Sequence, residues 1–193
     1  MITHIQGKLT EKNPTHVVID CNGVGYMINI SLHTFSKIPD AENLKLYTHL
    51  QVKEDSHTLF GFSSVAEREI FRLLISVSGV GASTARTMLS SLTPKQVREG
   101  IATGDVALIQ SIKGIGAKTA QRVILDLKDK ILKIYDIDEV SPVQGNTNKD
   151  EALSALEVLG FAKKQAERVV DKFVASQPDA DVETIIKQAL KNL

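Results

Sequence analysis

One short pattern occurs twice in this chain, and it narrows the choice of fold more than any other feature. The first copy reads Ser78-Gly79-Val80-Gly81-Ala82-Ser83-Thr84-Ala85 and the second Lys113-Gly114-Ile115-Gly116-Ala117-Lys118-Thr119-Ala120. Aligning Gly79 with Gly114 also aligns Gly81 with Gly116, Ala82 with Ala117, Thr84 with Thr119 and Ala85 with Ala120, and a match at fixed offset marks an internal repeat. Each copy follows an apolar helical stretch and precedes a small, helix-forming one, so each predicts two helices joined by a very tight turn. Glycine there permits positive φ and presents no Cβ to an approaching backbone. Val80 and Ile115 are expected to point inward and pin the turn, while the amides after Gly81 and Gly116 face outward at the start of the next helix. Unpaired N–H groups at the positive end of a helix dipole form an anion site suited to phosphate.

This is the pattern of a helix-hairpin-helix. A single Gly-x-Gly is equally well read as a helix cap with no ligand. Two copies with matched flanks, and with Lys118 and Arg122 beside the second, favour binding to the DNA backbone. Contacts to phosphate position a protein without reading bases, so binding independent of sequence is expected. The candidate DNA-binding residues are Gly79, Gly81, Ser83, Thr84, Arg86, Lys113, Gly114, Gly116, Lys118, Thr119 and Arg122.

Charge is distributed to match. The formal net charge is zero, yet residues 1–62 carry −1, residues 63–134 carry +5 and residues 135–193 carry −4. The positive segment is the one with the paired hairpins, as an electrostatic footprint for nucleic acid requires. Hydrophobic residues make up 42% of the chain, enough for packed cores, and no apolar run approaches a membrane span. No export signal is recognisable at the N-terminus, and Cys21 is the only cysteine, which excludes an internal disulfide and a four-cysteine metal site. A cytoplasmic protein without metal or cofactor is expected.

In residues 1–62, Val17, Ile19 and Cys21 alternate with Val18 and Asp20. Asn22-Gly23 then supplies a hairpin turn, and Tyr26, Ile28 and Ile30 alternate again. Leu44, Leu46, Leu50 and Val52 continue the period of two. With Ile2–Leu9 and Thr58–Phe62 this makes about five short strands, and a small OB-like barrel is the economical arrangement. Between the last two strands, Glu54 and Asp55 fall at a hairpin tip. Solvated turn residues are the ordinary reading of such a pair, but in a DNA-binding chain carboxylates there would repel phosphate. The histidines at positions 4, 16, 33, 49 and 57 show no metal-ligand spacing.

Residues 63–134 read as five helices, opened by Ser64-Val65-Ala66-Glu67 in the form of a capping box and continued by Thr93-Pro94-Lys95-Gln96. From 135 to 149 the apolar period vanishes, which predicts a flexible linker. Residues 150–193 predict three short helices, and a small acidic module on a tether suits docking better than catalysis. The fold class is therefore α+β: an N-terminal OB-like β-barrel, a central helical domain with two helix-hairpin-helix motifs, and a tethered three-helix C-terminal domain.

The order of these segments, the Gly-Val-Gly and Gly-Ile-Gly-Ala-Lys-Thr-Ala turns, and Lys53-Glu54-Asp55 ahead of Leu59-Phe60-Gly61-Phe62 together resemble the RuvA family of Holliday-junction-binding proteins over the whole chain. The resemblance implies that the C-terminal domain is similar to ubiquitin-associated domains. It implies that Glu54 and Asp55 form an acidic pin at the centre of an open four-way junction, on a homotetramer or an octamer. It further implies docking of the hexameric ATPase RuvB, with Leu156, Leu159, Gly160, Phe161, Ala166 and Val170 as candidate partner-binding residues. Action with the resolvase RuvC in recombination, DNA repair and the SOS response to DNA damage is implied as well. The family commonly has a lysine where this chain has Ser83, which shifts the first hairpin's contacts toward main-chain amides and Arg86.

Three rival functions are weaker. A DNA glycosylase or lyase would use Lys118 with Asp136, but Asp136 falls in the linker and no large helical domain is present to enclose a flipped base. An ATPase would need glycine where Ala117 and Ile112 stand, so no catalytic centre is expected and ATP hydrolysis falls to the partner. A generic duplex-binding scaffold differs from the main reading only in lacking preference for junctions.

Overall fold

Alternation of apolar side chains in the first third builds five strands that close on themselves. They are β1 (His4–Lys12), β2 (His16–Cys21), β3 (Val24–Ile30), β4 (Asn43–Val52) and β5 (His57–Phe62), in the closed order β1-β2-β3-β5-β4. All neighbours are antiparallel except β3 and β5, which pair in parallel with Ile28 opposite Leu59 and Ile30 opposite Gly61. The Asn22-Gly23 turn is a two-residue hairpin with both residues at positive φ, 55° and 91°, the backbone that matches strand twist. Ile5, Val17, Ile19, Ile28, Ile30, Leu44 and Leu46 fill the interior. Closure removes every exposed strand edge. The computed structural model describes residues 1–132, 134, 148–177 and 180–193; the linker expected from 135, with Asp136, lies outside them up to residue 147.

A short helix that alternation could not announce, α1 (Leu32–Lys37), crosses from β3 toward β4, capped by Ser31. Five helices follow the barrel: α2 (Val65–Ile75), α3 (Ala82–Ser91), α4 (Pro94–Thr103), α5 (Val106–Gln110) and α6 (Ala117–Ile131). Thr93 and Gln96 form a complete capping box on α4. Ser64 and Glu67 do not: Ser64 Oγ accepts from Glu67 N at 3.1 Å, but the Glu67 carboxylate turns away into the protein. It is fully buried. Its Oε1 accepts from Ser31 Oγ at 2.6 Å, and its Oε2 accepts from Thr34 Oγ1 at 2.7 Å and from Ser63 N and Oγ, both at 3.1 Å. A carboxylate this deep is tolerable only with such a set of donors. The residue expected to close a local cap instead joins α2 to α1.

Barrel and helices also share apolar packing. Phe60 and Phe62 of β5 belong to the helical core, with ring centroids 5.1 and 4.9 Å from Phe71 of α2, and burying one such ring is worth roughly 2 kcal/mol. The face of β4 opposite the barrel interior meets α2 rather than water, so His49 lies 5.5 Å from the Phe71 ring. Its Nδ1 is buried and meets no hydrogen-bond partner among the described residues. Burial, and then the nearby Arg72 and Arg68, hold this imidazole below its ordinary value of 6.5. The unfolded chain therefore takes up a proton near pH 6.5 before the folded chain does. Stability should fall as pH drops through 6.5 toward the depressed folded value and level off below it. Thermal unfolding at pH 7.5 and 5.5 should show this loss, and His49→Phe should shrink it.

The chain forms two compact units, Met1–Glu139 and Val140–Leu193. The second holds α7 (Asn148–Val158), α8 (Lys163–Ser176) and α9 (Val182–Leu190) around Ala152, Leu156, Ala166, Val170, Ile185 and Ala189. Asn148 and Lys149, expected to end the linker, are the first residues of α7. Gly160, at φ 96°, ends that helix. Phe161 N donates to Leu156 O at 3.1 Å and Gly160 N to Glu157 O at 3.0 Å, the Schellman arrangement that satisfies two terminal carbonyls.

Candidate nucleic-acid interface

The duplicated sequence is a duplicated backbone. Gly79 and Gly114 have φ of 92° and 91°. Gly81 and Gly116, the residues ahead of α3 and α6, have φ/ψ of −84°/167° and −82°/165°. Val80 N donates to Val77 O at 3.0 Å, and Ile115 N to Ile112 O at 3.1 Å. Val80 and Ile115 are each 5% exposed and sit in the helical core, which holds both turns against the protein and leaves the glycines on the surface. Gly79, Gly81, Gly114 and Gly116 are all exposed.

The two kinds of glycine have different causes. Positive φ at Gly79 and Gly114 is a conformation that other L-residues adopt at a cost, so the turn itself demands them. Gly81 and Gly116 have ordinary extended backbone, and a Cβ at either would meet nothing within 4 Å. Nothing among the described residues requires glycine there. What glycine preserves is close access from outside to the first amides of α3 and α6. Neither helix has a side-chain cap, and their first main-chain bonds are those of Ala85 to Gly81 O and Ala120 to Gly116 O, both 2.9 Å. Among the described residues the amides of residues 82–84 and 117–119 meet no acceptor, and they stand at the positive end of the helix dipole.

The flanking cations are unequal. Lys113, Lys118 and Arg122 beside the second hairpin are exposed, and the two lysines form no ion pair among the described residues. Arg122 reaches across to the first hairpin, where its Nη1 donates to Ser78 O at 3.3 Å. Ser83 is exposed and Thr84 and Thr119 are half-buried. Arg86, expected to serve the first hairpin as a cation, commits its guanidinium to the barrel: Nη1 donates to Asn29 Oδ1 at 2.9 Å and to Thr15 O at 3.4 Å. No signal in the sequence announced that engagement.

Glu54 and Asp55 are the two central residues of the β4–β5 hairpin, closed by Lys53 N to Ser56 O at 2.8 Å and Ser56 N to Lys53 O at 3.4 Å. Both carboxylates are exposed. In the C-terminal unit the six expected docking residues divide. Leu156, Ala166 and Val170 are fully buried in the core of this unit and present no surface to a partner. Leu159 is 60% exposed, Gly160 is exposed and Phe161 half-buried. Val158, absent from the expected set, is 86% exposed. No group of acidic, histidine or cysteine side chains fit to hold a metal ion occurs among the described residues, and none of the described helices is long and apolar enough to cross a membrane.

Fold and site thus define a five-stranded barrel joined to a tandem helix-hairpin-helix unit, with a separate three-helix module. Comparison with known proteins follows the same division. The RuvA N terminal domain family matches residues 1–61, the SAM-like helix-hairpin-helix tandem residues 71–129 and the RuvA C-terminal domain residues 147–193. The chain is 69% identical to the Holliday junction branch migration complex subunit RuvA of Flavobacterium psychrophilum and 69% identical to that of Christiangramia forsetii, in both cases over the full length of both chains. It is 49% identical to the Cytophaga hutchinsonii protein of the same name, over 99% of each chain. The chain belongs to the RuvA family.

Proposed function

We propose that this chain binds four-way (Holliday) DNA junctions without regard to sequence and serves as the non-catalytic subunit of the branch-migration complex, with RuvB as the ATPase. One observation carries the DNA-binding half of this reading: two congruent helix N-termini whose leading glycines have no reason within the fold to be glycine. An external phosphate accounts for both. The amides of residues 82–84 and 117–119 grip the backbone of a duplex arm, and Lys113, Lys118 and Arg122 add charge at the second hairpin.

Four copies of the chain around one centre would carry eight hairpins to the four arms and bring four acidic hairpin tips together. There Glu54 and Asp55 repel phosphates and keep the duplex ends apart, so preference for the junction comes from shape and repulsion rather than base contacts. The exposed apolar end of α7, Val158 and Leu159 with Gly160 and Phe161, is the docking face for RuvB. RuvC acts on the same junction, and the complex works in the cytoplasm in recombination and repair.

The discriminating experiment compares gel shifts of a four-way junction and a linear duplex of equal length with the full chain; equal affinities would reduce the protein to a duplex-binding scaffold. The acidic tip makes a separate claim. Glu54→Lys combined with Asp55→Lys should keep or raise junction affinity while cutting the junction-over-duplex preference by about tenfold, since like-charge juxtaposition is worth several kcal/mol. An unaltered preference would remove the pin from the mechanism.

A further inference from the structure

The two hairpins are alike in backbone but not in how they are held. On α3 the residues one helical turn apart that face the barrel are Arg86 and Ser90. Ser90 Oγ accepts from Leu32 N, at the start of α1, at 3.1 Å. Arg86 Nη1 takes Asn29 Oδ1 and Thr15 O. Asn29 is itself bridged, because its Nδ2 donates to Leu59 O at 3.4 Å. Leu59 lies on β5, one arm of the hairpin whose tip is Glu54-Asp55. A continuous polar path therefore runs from the helix of the first hairpin, through one guanidinium and one amide, to the strand that carries the acidic tip. The repeat supplies its own control: the places on α6 that match Arg86 and Ser90 hold Gln121, which is exposed, and Leu125, which is 82% exposed. Among the described residues the second hairpin has no such tie to the barrel; its Arg122 bonds the first hairpin instead.

We infer that Arg86 is a positioning residue for junction recognition, fixing the first hairpin relative to the acidic tip through Asn29, rather than a phosphate ligand. This rests on the junction-binding reading above. A shape-selective protein must hold its attractive and repulsive elements at a set spacing, because a tip free to shift relative to the hairpins repels an arm and a crossover alike. Arg86 suits that role, since its Nη1 meets acceptors on two barrel segments at once, Asn29 Oδ1 and Thr15 O.

The test uses the full chain and the variants Arg86→Gln, Asn29→Ala and both together. Gln is the residue α6 carries at the matching position, and its helix propensity is close to that of Arg. Affinities for a four-way junction and a linear duplex are measured across a range of salt. A positioning role predicts that either single change lowers the junction-over-duplex preference by about five- to tenfold, the lower range of coupling between sites. The double variant should be little worse than the singles, because both break the same path at the Arg86–Asn29 bond. The slope of log affinity against log salt should stay as in the unaltered chain. A phosphate ligand predicts the opposite: Arg86→Gln flattens that slope by about 0.9 per protomer on both DNAs, and Asn29→Ala does nothing. That result overturns the inference, as does an unchanged preference in Arg86→Gln. A fold lesion alone would lower the melting temperature and leave the preference of the folded fraction intact, which also counts against it. Should the unaltered chain itself fail to prefer the junction, the functional reading falls first, and the two failures are told apart by that baseline.

Discussion

Gly81→Ala together with Gly116→Ala will leave the protein folded and lower its affinity for a four-way junction by about a hundredfold or more. The fold survives because both residues have extended backbone open to any amino acid and an added methyl meets nothing of the chain within 4 Å. The unfolded chain even loses some freedom in the exchange. Binding should suffer because each methyl would stand where the proposed phosphate approaches the first amides of α3 and α6. Hydrogen bonds to a charged group are worth about 1.5–3 kcal/mol. Losing one such bond at each of two hairpins thus removes about 3 kcal/mol or more, and every 1.4 kcal/mol is about tenfold. Gly79→Ala with Gly114→Ala supplies the contrast. There φ is 92° and 91°, so that pair should lower the melting temperature, at a cost of roughly 1–2 kcal/mol for each residue. Gel shifts and thermal unfolding on the two double variants separate the effects; full junction affinity in the first pair would mean that phosphate does not sit at these helix ends.

The largest loss of stability should come from Glu67→Ala. The change strips the acceptor from Ser31 Oγ, Thr34 Oγ1 and Ser63 Oγ, leaves Ser63 N with only its longer bond to Thr34 Oγ1, and opens a void beside the buried Ser31 and Thr34. Stranding buried donors costs about 1–3 kcal/mol each, partly recovered by rearrangement, so a net loss of roughly 3 kcal/mol is expected. For a unit of this size that is a fall of about 10 °C in melting temperature. Glu67→Gln should fall between, since its amide keeps one acceptor but turns a donor toward donors. Glu69→Ala, two residues on, breaks ion pairs with Arg68 and Arg72 that remain partly solvated and should cost under about 1 kcal/mol. Denaturant titration of the three variants gives the comparison, and equal effects at 67 and 69 would mean the buried carboxylate contributes nothing special.

Much of this protein could be read from residue order because its signals are local. Two Gly-x-Gly turns, the alternation of Val17-Ile19 and Ile28-Ile30, Asn22-Gly23 and the Glu54-Asp55 tip each depend on neighbours a few places apart. What stayed hidden depends on partners distant in sequence. Glu67 sits three residues after Ser64, the spacing of a local cap, yet its carboxylate bonds Ser31 and Thr34. Arg86 stands where a cation would serve a phosphate, yet Asn29 and Thr15 take its guanidinium. Residue order does not say which way Leu156, Ala166 and Val170 face, and the burial that assigns them to a core is a property of three helices together. Val158 escaped because an apolar residue left outside breaks no periodic rule.

Phe60 and Phe62 end the barrel's last strand but pack with Phe71 in the helical core. Severing the chain just past β5, where composition changes, would split one greasy seam down its length and strip both rings on the barrel piece of their cover. Either half made alone would therefore present to water a sticky strip that the intact chain keeps hidden.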